Sequence, residues 1–406
     1  MRCLMDNANM NVHEVENSGW RRLLASKEVK VFLAALCFRL VVYVIYFLIA
    51  ILENDGHSVM NWDTYFHIWE RWDANHYINI ATNDYAGCVE DGEHLLLVFL
   101  PLYPWLMKVF QFVLHNYDLA GLTVSTLSFA VGAVFFYKLT AQEYSEKIAE
   151  CSLVGLAIFP FGFFHGAIMT ESLFFALLAS FMYYLRRHAW MEVTIIGVFA
   201  CLTKLQGAFL CFAILVELIC SSHLFELIRK KDVKKIWNDF LLPGLKCVPM
   251  LFGIAIYLLI NYLVEGDPFK FMEYQESNWM HTMGPIWNTV KYMFAYVFGD
   301  WDNHTKLVMW WPELILFFVT LFAIIYAIVK KMRPSFITIM ISLFLVTYSS
   351  TWLISGGRYV MSILPLFMVE GMVLENRTVL RKCIFSFSFA VMILYMVAYY
   401  KMYQIM

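Results

Sequence analysis

The chain has 406 residues, 61% of them hydrophobic and 15% charged, with a mean hydropathy of +0.63. A soluble domain carries about 45–50% apolar and about 25% charged residues, so this composition excludes a single water-facing globule and demands lipid as part of the solvent. The net charge of −2 gives no footprint for a nucleic-acid partner.

The first 29 residues are polar and lack the apolar core of a cleavable signal peptide, so the first span is expected to act as a signal anchor. A spanning helix needs about 20 apolar residues. Such runs occupy 30–52, 119–139, 150–168, 171–186, 239–264, 307–330, 334–354, 358–374 and 381–402. The apolar stretch 192–222 is interrupted by Thr203-Lys204-Leu205-Gln206-Gly207 and reads as two short helices meeting at a break. The expected fold is an all-α polytopic helical bundle of about eleven transmembrane segments, forming one membrane-embedded domain over 1–406.

Most of the 30 Lys and Arg residues fall in alternate connections, including Arg229-Lys230-Lys231 and Lys330-Lys331. Basic loops stay cytoplasmic, so the amino terminus is expected inside, with long outer segments at 53–118 and 265–306. Connections of that length usually have a function. In the first, Trp62, Tyr65, Phe66 and Trp69 repeat at helical spacing, which predicts an aromatic helix lying flat at the interface. A second amphipathic helix is expected after Pro101 and Pro104, through Trp105, Leu106, Val109, Phe110 and Val113. Aromatics make up 18% of the chain, which suits many headgroup-level segments. The nine cysteines form no CxxC, and only Cys88 falls in an outer segment, so neither a disulfide framework nor a zinc site is expected.

Chemistry-bearing residues gather on the outer side. In Arg71-Trp72-Asp73-Ala74-Asn75-His76-Tyr77, a helix would put Asp73, His76, Tyr77 and Ile80 on one face, continuing the stripe from Phe66 and Trp69. Asp73 could then serve as a general base on an acceptor hydroxyl, or be a solvated acid on an interfacial helix. Asp63 is a second acid on the same segment. Lys204 sits at the break in 192–222, where a cation at membrane depth is costly and could meet a lipid phosphate or reach out to the surface. Arg39 lies mid-span and is expected to pair with a buried acid. Glu171 follows Thr170 at a helix start, where capping alone would explain it. Arg358-Tyr359 follows Gly356-Gly357, and a guanidinium beside backbone amides suits a phosphate clamp. Gln275 and Trp279 could bond to and stack on a sugar, or be solvated loop residues. Asp300 and Asp302 could share a cation, although one such pair is weak support for a divalent metal. There is no GxxxxGK[ST], HExxH or GxSxG, so nucleotide hydrolysis, zinc proteolysis and hydrolase-elbow chemistry have no support.

Several of these elements resemble the PIG-V family of mannosyltransferases. Arg71-Trp72-Asp73-Ala74 with His76-Tyr77, Ile80-Ala81 and Tyr85 resembles that family's first-loop signature. Phe99-Leu100-Pro101-Leu102-Tyr103-Pro104 is similar to its FFPLYP element, and Phe159-Pro160, Phe163-Phe164 and Thr170-Glu171-Ser172-Leu173-Phe174 to FP…FF…TESLF. Thr203-Lys204-Leu205-Gln206-Gly207 is similar to an element with Arg in place of Lys204, Gly266-Asp267-Pro268-Phe269 with Phe271, Gln275 and Trp279 to GDPxxF…Q…W, and Arg358-Tyr359 with Pro365 to a late RY…P element. The matches run in order from 71 to 367.

The resemblance implies a GT-C helical bundle and a hexosyltransferase that inverts the anomeric centre. It implies a polyprenyl- or dolichyl-phosphate sugar donor, most often mannose, and a glycan, glycolipid or protein acceptor, with membrane lipids around it. No cofactor is implied. By position, Asp73 would be the base, Lys204 and Arg358 would face the donor phosphate, and Glu171 would lie near the acceptor or the base. Arg71, His76, Tyr77, Gln206, Gln275, Trp279 and Tyr359 complete the expected substrate-binding set. The membrane would be the plasma membrane in a bacterium and the endoplasmic reticulum in a eukaryote. A lipid transporter or flippase and a non-catalytic assembly partner are the rival readings; the absence of any sequence repeat between the halves weakens the first.

Overall fold

Apolar runs without charge must close into helices, because hydrocarbon offers no partner for backbone N–H and C=O groups. The computed structural model describes residues 26–53 and 62–405. The polar amino-terminal stretch, and the side chains of Trp62 and Asp63, lie outside the described residues. The chain has the all-helical GT-C-type architecture expected, and among the described residues there are isolated bridges but no strand.

The helices in chain order are α1 (Lys27–Glu53), α2 (Asp73–Gly87) and α3 (Leu102–Leu114), followed by α4 (Tyr117–Glu143) and α5 (Glu146–Ala157). Next come α6 (Glu171–Arg186), α7 (Trp190–Thr203), α8 (Leu210–Ser221) and α9 (Val233–Glu265). The second outer segment holds α10 (Lys270–Trp279) and α11 (Ile286–Phe298), and the chain continues through α12 (Asn303–Val329), α13 (Pro334–Tyr348), α14 (Leu364–Leu374) and α15 (Thr378–Tyr400). Helix α4 is the central post, packed against α1, α3, α5 and α6. Its start is fixed by the Asn116 side chain, which accepts from the Leu119 amide at 2.7 Å.

Five helices, α1, α4, α9, α12 and α15, are long and apolar enough to cross a membrane alone. A sixth crossing follows if Leu205–Ser221 and Leu224–Lys230, bent by 52°, form one span. The expected count near eleven included shorter pieces: α14 has 11 residues, or about 17 Å at 1.5 Å per residue, against about 30 Å of hydrocarbon. The expected span 150–168 is also not one helix. Helix α5 stops at Ala157, and a 3-10 turn over Gly162–Gly166 leads to α6, with Pro160 unable to continue the ladder.

Two expectations about the first span and loop need correction. Arg39 is fully buried but, among the described residues, pairs with no acid: its Nη1 donates to the Gly162 carbonyl at 2.9 Å and its Nη2 to the Ala157 carbonyl at 3.4 Å. The open carbonyls where α5 ends supply the acceptors an acid would have supplied. The aromatic stripe is also not one interfacial helix. The helix from Trp62 ends at His67, and Trp69 is fully buried between Tyr46, Tyr43 and Tyr399, its ring centroid 4.2 Å from that of Tyr46. Helix α3 does match its expected amphipathic character. Val109, Phe112 and Val113 face away from the protein, while Tyr103 and Met107 are buried on the other side.

The two outer segments are joined to each other and to the core. The Glu265 carboxylate accepts from His94 Nδ1 and from the Tyr274 hydroxyl, each at 2.7 Å. Residues 282–284 run alongside 349–351, with Gly284 N donating to the Ser349 carbonyl and Thr351 N to the Thr282 carbonyl. This strap holds the second outer segment over the turn that precedes Arg358.

Candidate active site

A cavity of about 1220 Å³ opens where the first outer segment, the break after α7, the strap and the turn at 352–359 meet.

Asp73 is the first residue of α2, and the turn before it sets its direction. Trp72 adopts φ 55°, ψ −128°, a conformation that costs a bulky residue on the order of 1–3 kcal/mol. Packing holds it there: Trp69 is buried, and the Tyr399 hydroxyl lies 3.5 Å from the carbonyls of both Trp69 and Arg71. The reversal sends Asp73 into the cavity and Arg71 away from it. Arg71 instead lies over the Tyr400 ring at 5.7 Å and is absent from the cavity wall, unlike the substrate-binding place expected for it. The helix break also means that Asp73 does not extend the stripe of Phe66 and Trp69.

Asp73, His76 and Tyr77 share the face of α2 that lines the cavity, as their spacing predicts, whereas Ile80 packs into a separate cluster with Tyr85, Leu97 and Tyr257. Burial, with Asp73 close by, pushes the Tyr77 phenol well above its ordinary value, so it stays a neutral hydroxyl. The His76 ring stacks on Phe99 at 5.1 Å, and Trp279 meets both rings edge-on at 6.0–6.4 Å. Together they form an aromatic wall of the kind on which sugar rings pack. Gln206 and Gln275 line the same cavity.

Opposite lies a chain of charges. Lys204 caps α7 in extended conformation (φ −147°, ψ 145°) before the 3-10 turn Leu205–Phe209. The turn folds back so closely that a Cβ on Gly207 would stand 2.4 Å from the Ala200 carbonyl carbon, so only glycine fits. Lys204 Nζ donates to Glu171 Oε1 at 3.0 Å. The same oxygen accepts from Arg358 Nε at 3.0 Å and lies 2.9 Å from its Nη2, while Arg358 Nη1 donates to Asp73 Oδ2 at 2.9 Å. Glu171, Lys204 and Arg358 are each over 90% buried, whereas the Asp73 side chain is 24% exposed, toward the cavity. Glu171 starts α6, as expected of a cap, but its carboxylate is spent on two cations and has no place on the cavity wall. Tyr359 lines the cavity, with Lys204 Nζ 5.7 Å from its ring centre.

The turn that carries Arg358 has a support the sequence reading missed. Glu313, buried well inside α12, accepts from the Gly356 amide at 2.6 Å. A Cβ on Gly356 would fall 1.9 Å from Glu313 Oε2, and one on Gly357 2.4 Å from the Phe161 ring. The Gly356 amide expected to help hold a phosphate is therefore engaged by a carboxylate. The signal that could have found Glu313 is a lone acid inside an otherwise apolar run. His281, Thr170, Thr203 and Ser355 also line the cavity without having been singled out. Asp302 caps a helical turn through the Thr305 amide at 2.9 Å, which explains it without a shared cation. Cys88 is buried, and burial pushes its thiol up to about 11, so it is not a reactive group.

The family model described as dolichyl-phosphate-mannose-protein mannosyltransferase matches residues 100–239. This stretch supplies Glu171, Lys204 and Gln206, but not Asp73 or Arg358. Among solved structures, the chain is similar to ArnT from Cupriavidus metallidurans bound to undecaprenyl phosphate. Identity is 16% and the TM-score 0.51, covering 87% of this chain and 61% of that one. It is also similar, more distantly, to the Archaeoglobus fulgidus oligosaccharyltransferase in the apo form, with 12% identity, a TM-score of 0.43, and coverage of 90% and 56%. The chain thus spans about three fifths of the length of these proteins. No curated protein matches its sequence.

Proposed function

We propose that the chain is a membrane glycosyltransferase that moves a hexose, mannose by the family resemblance, from a polyprenyl- or dolichyl-phosphate carrier to an acceptor hydroxyl at the extracytoplasmic face. The observation that carries this reading is the run Asp73–Arg358–Glu171–Lys204 along a cavity large enough for a sugar phosphate and the start of its lipid. The matched family stretch and the ArnT-like fold support the same class. The first-loop elements around Asp73 make a relative of the PIG-V family our reading of the lineage.

In the proposed reaction, the acceptor O–H gives its proton to Asp73 while its oxygen bonds to the anomeric carbon. The bond from that carbon to the phosphate oxygen breaks, and its electron pair leaves on the lipid phosphate. Negative charge grows on that oxygen, where Lys204 and Arg358 stabilise it. Inversion at the anomeric centre, which the family resemblance implies, requires the base and the departing phosphate to stand on opposite faces of the sugar. The aromatic wall of His76, Phe99 and Trp279 holds the sugar between them.

The four charges balance in the free protein: two acids and two cations. A donor phosphate adds negative charge and competes with Asp73 for the Arg358 guanidinium. Once Arg358 turns to the phosphate, Asp73 is released from this ion pair and can face the acceptor hydroxyl. Purified protein in bilayers, given a panel of polyprenyl-phosphate hexoses, is expected to release polyprenyl phosphate fastest from the mannose lipid. Passage of the lipids between leaflets with every sugar bond intact would support the transporter reading instead.

A further inference from the structure

The segment just ahead of Asp73 carries a cluster that the transfer reaction does not use. His67 ends the short helix from Trp62, Glu70 follows in the turn, and Asp118 stands in the first turn of α4. One imidazole nitrogen and one oxygen from each carboxylate all lie within 4.8 Å of one another. His67 Nδ1 contacts Glu70 Oε1 and is 3.2 Å from Asp118 Oδ2.

The Asp118 side chain is 6% exposed and that of Glu70 27%. Among the described residues, the ion pairs of both acids run to His67. Two carboxylates facing each other at a partly buried site repel unless a proton or a cation joins them. The ligand set also selects among cations. An imidazole nitrogen suits zinc-like ions, whereas magnesium and calcium take oxygen shells. Around a tetrahedral zinc, donor atoms at about 2.1 Å stand about 3.4 Å apart, close to the spacing found between His67 and Asp118, whereas His67 and Glu70 stand in direct hydrogen-bond contact and would have to part to admit an ion.

We propose that His67, Glu70 and Asp118 form a binding site for a divalent transition-metal ion of the zinc type, which pins the segment leading into Asp73 against α4. The His67 side chain is 58% exposed. None of the three residues lines the cavity, so the ion positions and does not react. Only Arg71 and Trp72 separate Glu70 from Asp73, and Trp72 holds the strained turn that aims it. An ion on Glu70 would fix one end of that turn.

The test is metal binding, read independently of sugar transfer. Full-length protein in detergent, stripped with a chelator, is titrated with cobalt(II) and followed by the visible absorption of the bound ion, then back-titrated with zinc. The unmodified chain is expected to bind cobalt saturably, one ion per chain, and to release it to zinc. His67→Ala and Glu70→Gln should weaken binding at least about tenfold, while Asp73→Asn should bind as the unmodified chain does. Absence of saturable binding would overturn the site, as would His67→Ala and Glu70→Gln chains that bind undiminished. Loss of binding in Asp73→Asn would also overturn it, by moving the ion to the cavity. Donor turnover by a chain that binds no metal would leave the transferase reading intact.

Discussion

Arg358 and Asp73 lie 285 positions apart in the chain and meet at 2.9 Å on the cavity wall. The same guanidinium spends Nε and Nη2 on Glu171, so one planar fork orients the proposed base and is itself held from below. A lysine ammonium offers a point charge without that fork. Arg358→Lys is therefore expected to keep the positive charge yet lose about 100- to 1,000-fold in sugar transfer, with the protein still folded. Transfer assays with size-exclusion profiles of both chains check this.

Lys204 makes one hydrogen bond to Glu171, and the sequence element it resembles carries Arg at this place. Lys204→Arg is expected to retain transfer within about tenfold, whereas Lys204→Met should fall well below it. Lys204→Met also leaves Glu171 with one cation fewer in a buried place, a defect of about 3–5 kcal/mol when one partner of such a pair is removed. Its thermal unfolding midpoint should drop while that of Lys204→Arg does not.

How far the sequence reached is visible in these residues. Asp73, His76 and Tyr77 could be put on one face because helix periodicity is local, and Lys204 at a break because Gly207 and a mid-span charge both announce it. That α2 begins only at Asp73 was not legible. The break comes from Trp69 turning into the core against Tyr46 and Tyr399, a long-range contact that periodicity does not encode. For the same reason Arg71 reads as a site residue and yet points away. Glu313 was hidden differently: a lone acid in an apolar run marks the residue, but its partner is a backbone amide 43 positions on, which no side-chain pattern announces.

Glu313 and Gly356 give a paired prediction. Gly356→Ala puts a methyl group into the Glu313 carboxylate and should displace the turn that carries Arg358. Glu313→Gln keeps an acceptor for the Gly356 amide and should be mild. The expected pattern is loss of transfer in Gly356→Ala with a lesser change in Glu313→Gln; Glu313→Ala, which leaves the amide unpaired, should lose about 1–3 kcal/mol of stability. Transfer rates and thermal unfolding in the same detergent separate the three.

His281 supplies a pH dependence. It lines the cavity from the strap, and burial holds its imidazole below its ordinary value. The folded protein therefore favours the neutral ring. As the pH falls below about 6.5, the unfolded chain takes up this proton first, so the stability present at neutral pH is lost on acidification. His281→Asn is expected to unfold at a temperature less sensitive to mild acid than the unmodified chain, as measured by thermal scans in neutral and mildly acidic buffer.

The central claim is that Asp73 takes the acceptor proton while a phosphate-linked sugar is held across from it. The most direct measurement compares unmodified protein with Asp73→Asn in bilayers containing polyprenyl-phosphate mannose and a hydroxyl acceptor, following polyprenyl phosphate release. The account predicts that Asp73→Asn still binds the donor but turns it over about 100- to 10,000-fold more slowly. An Asp73→Asn chain that releases polyprenyl phosphate at the unmodified rate would contradict it.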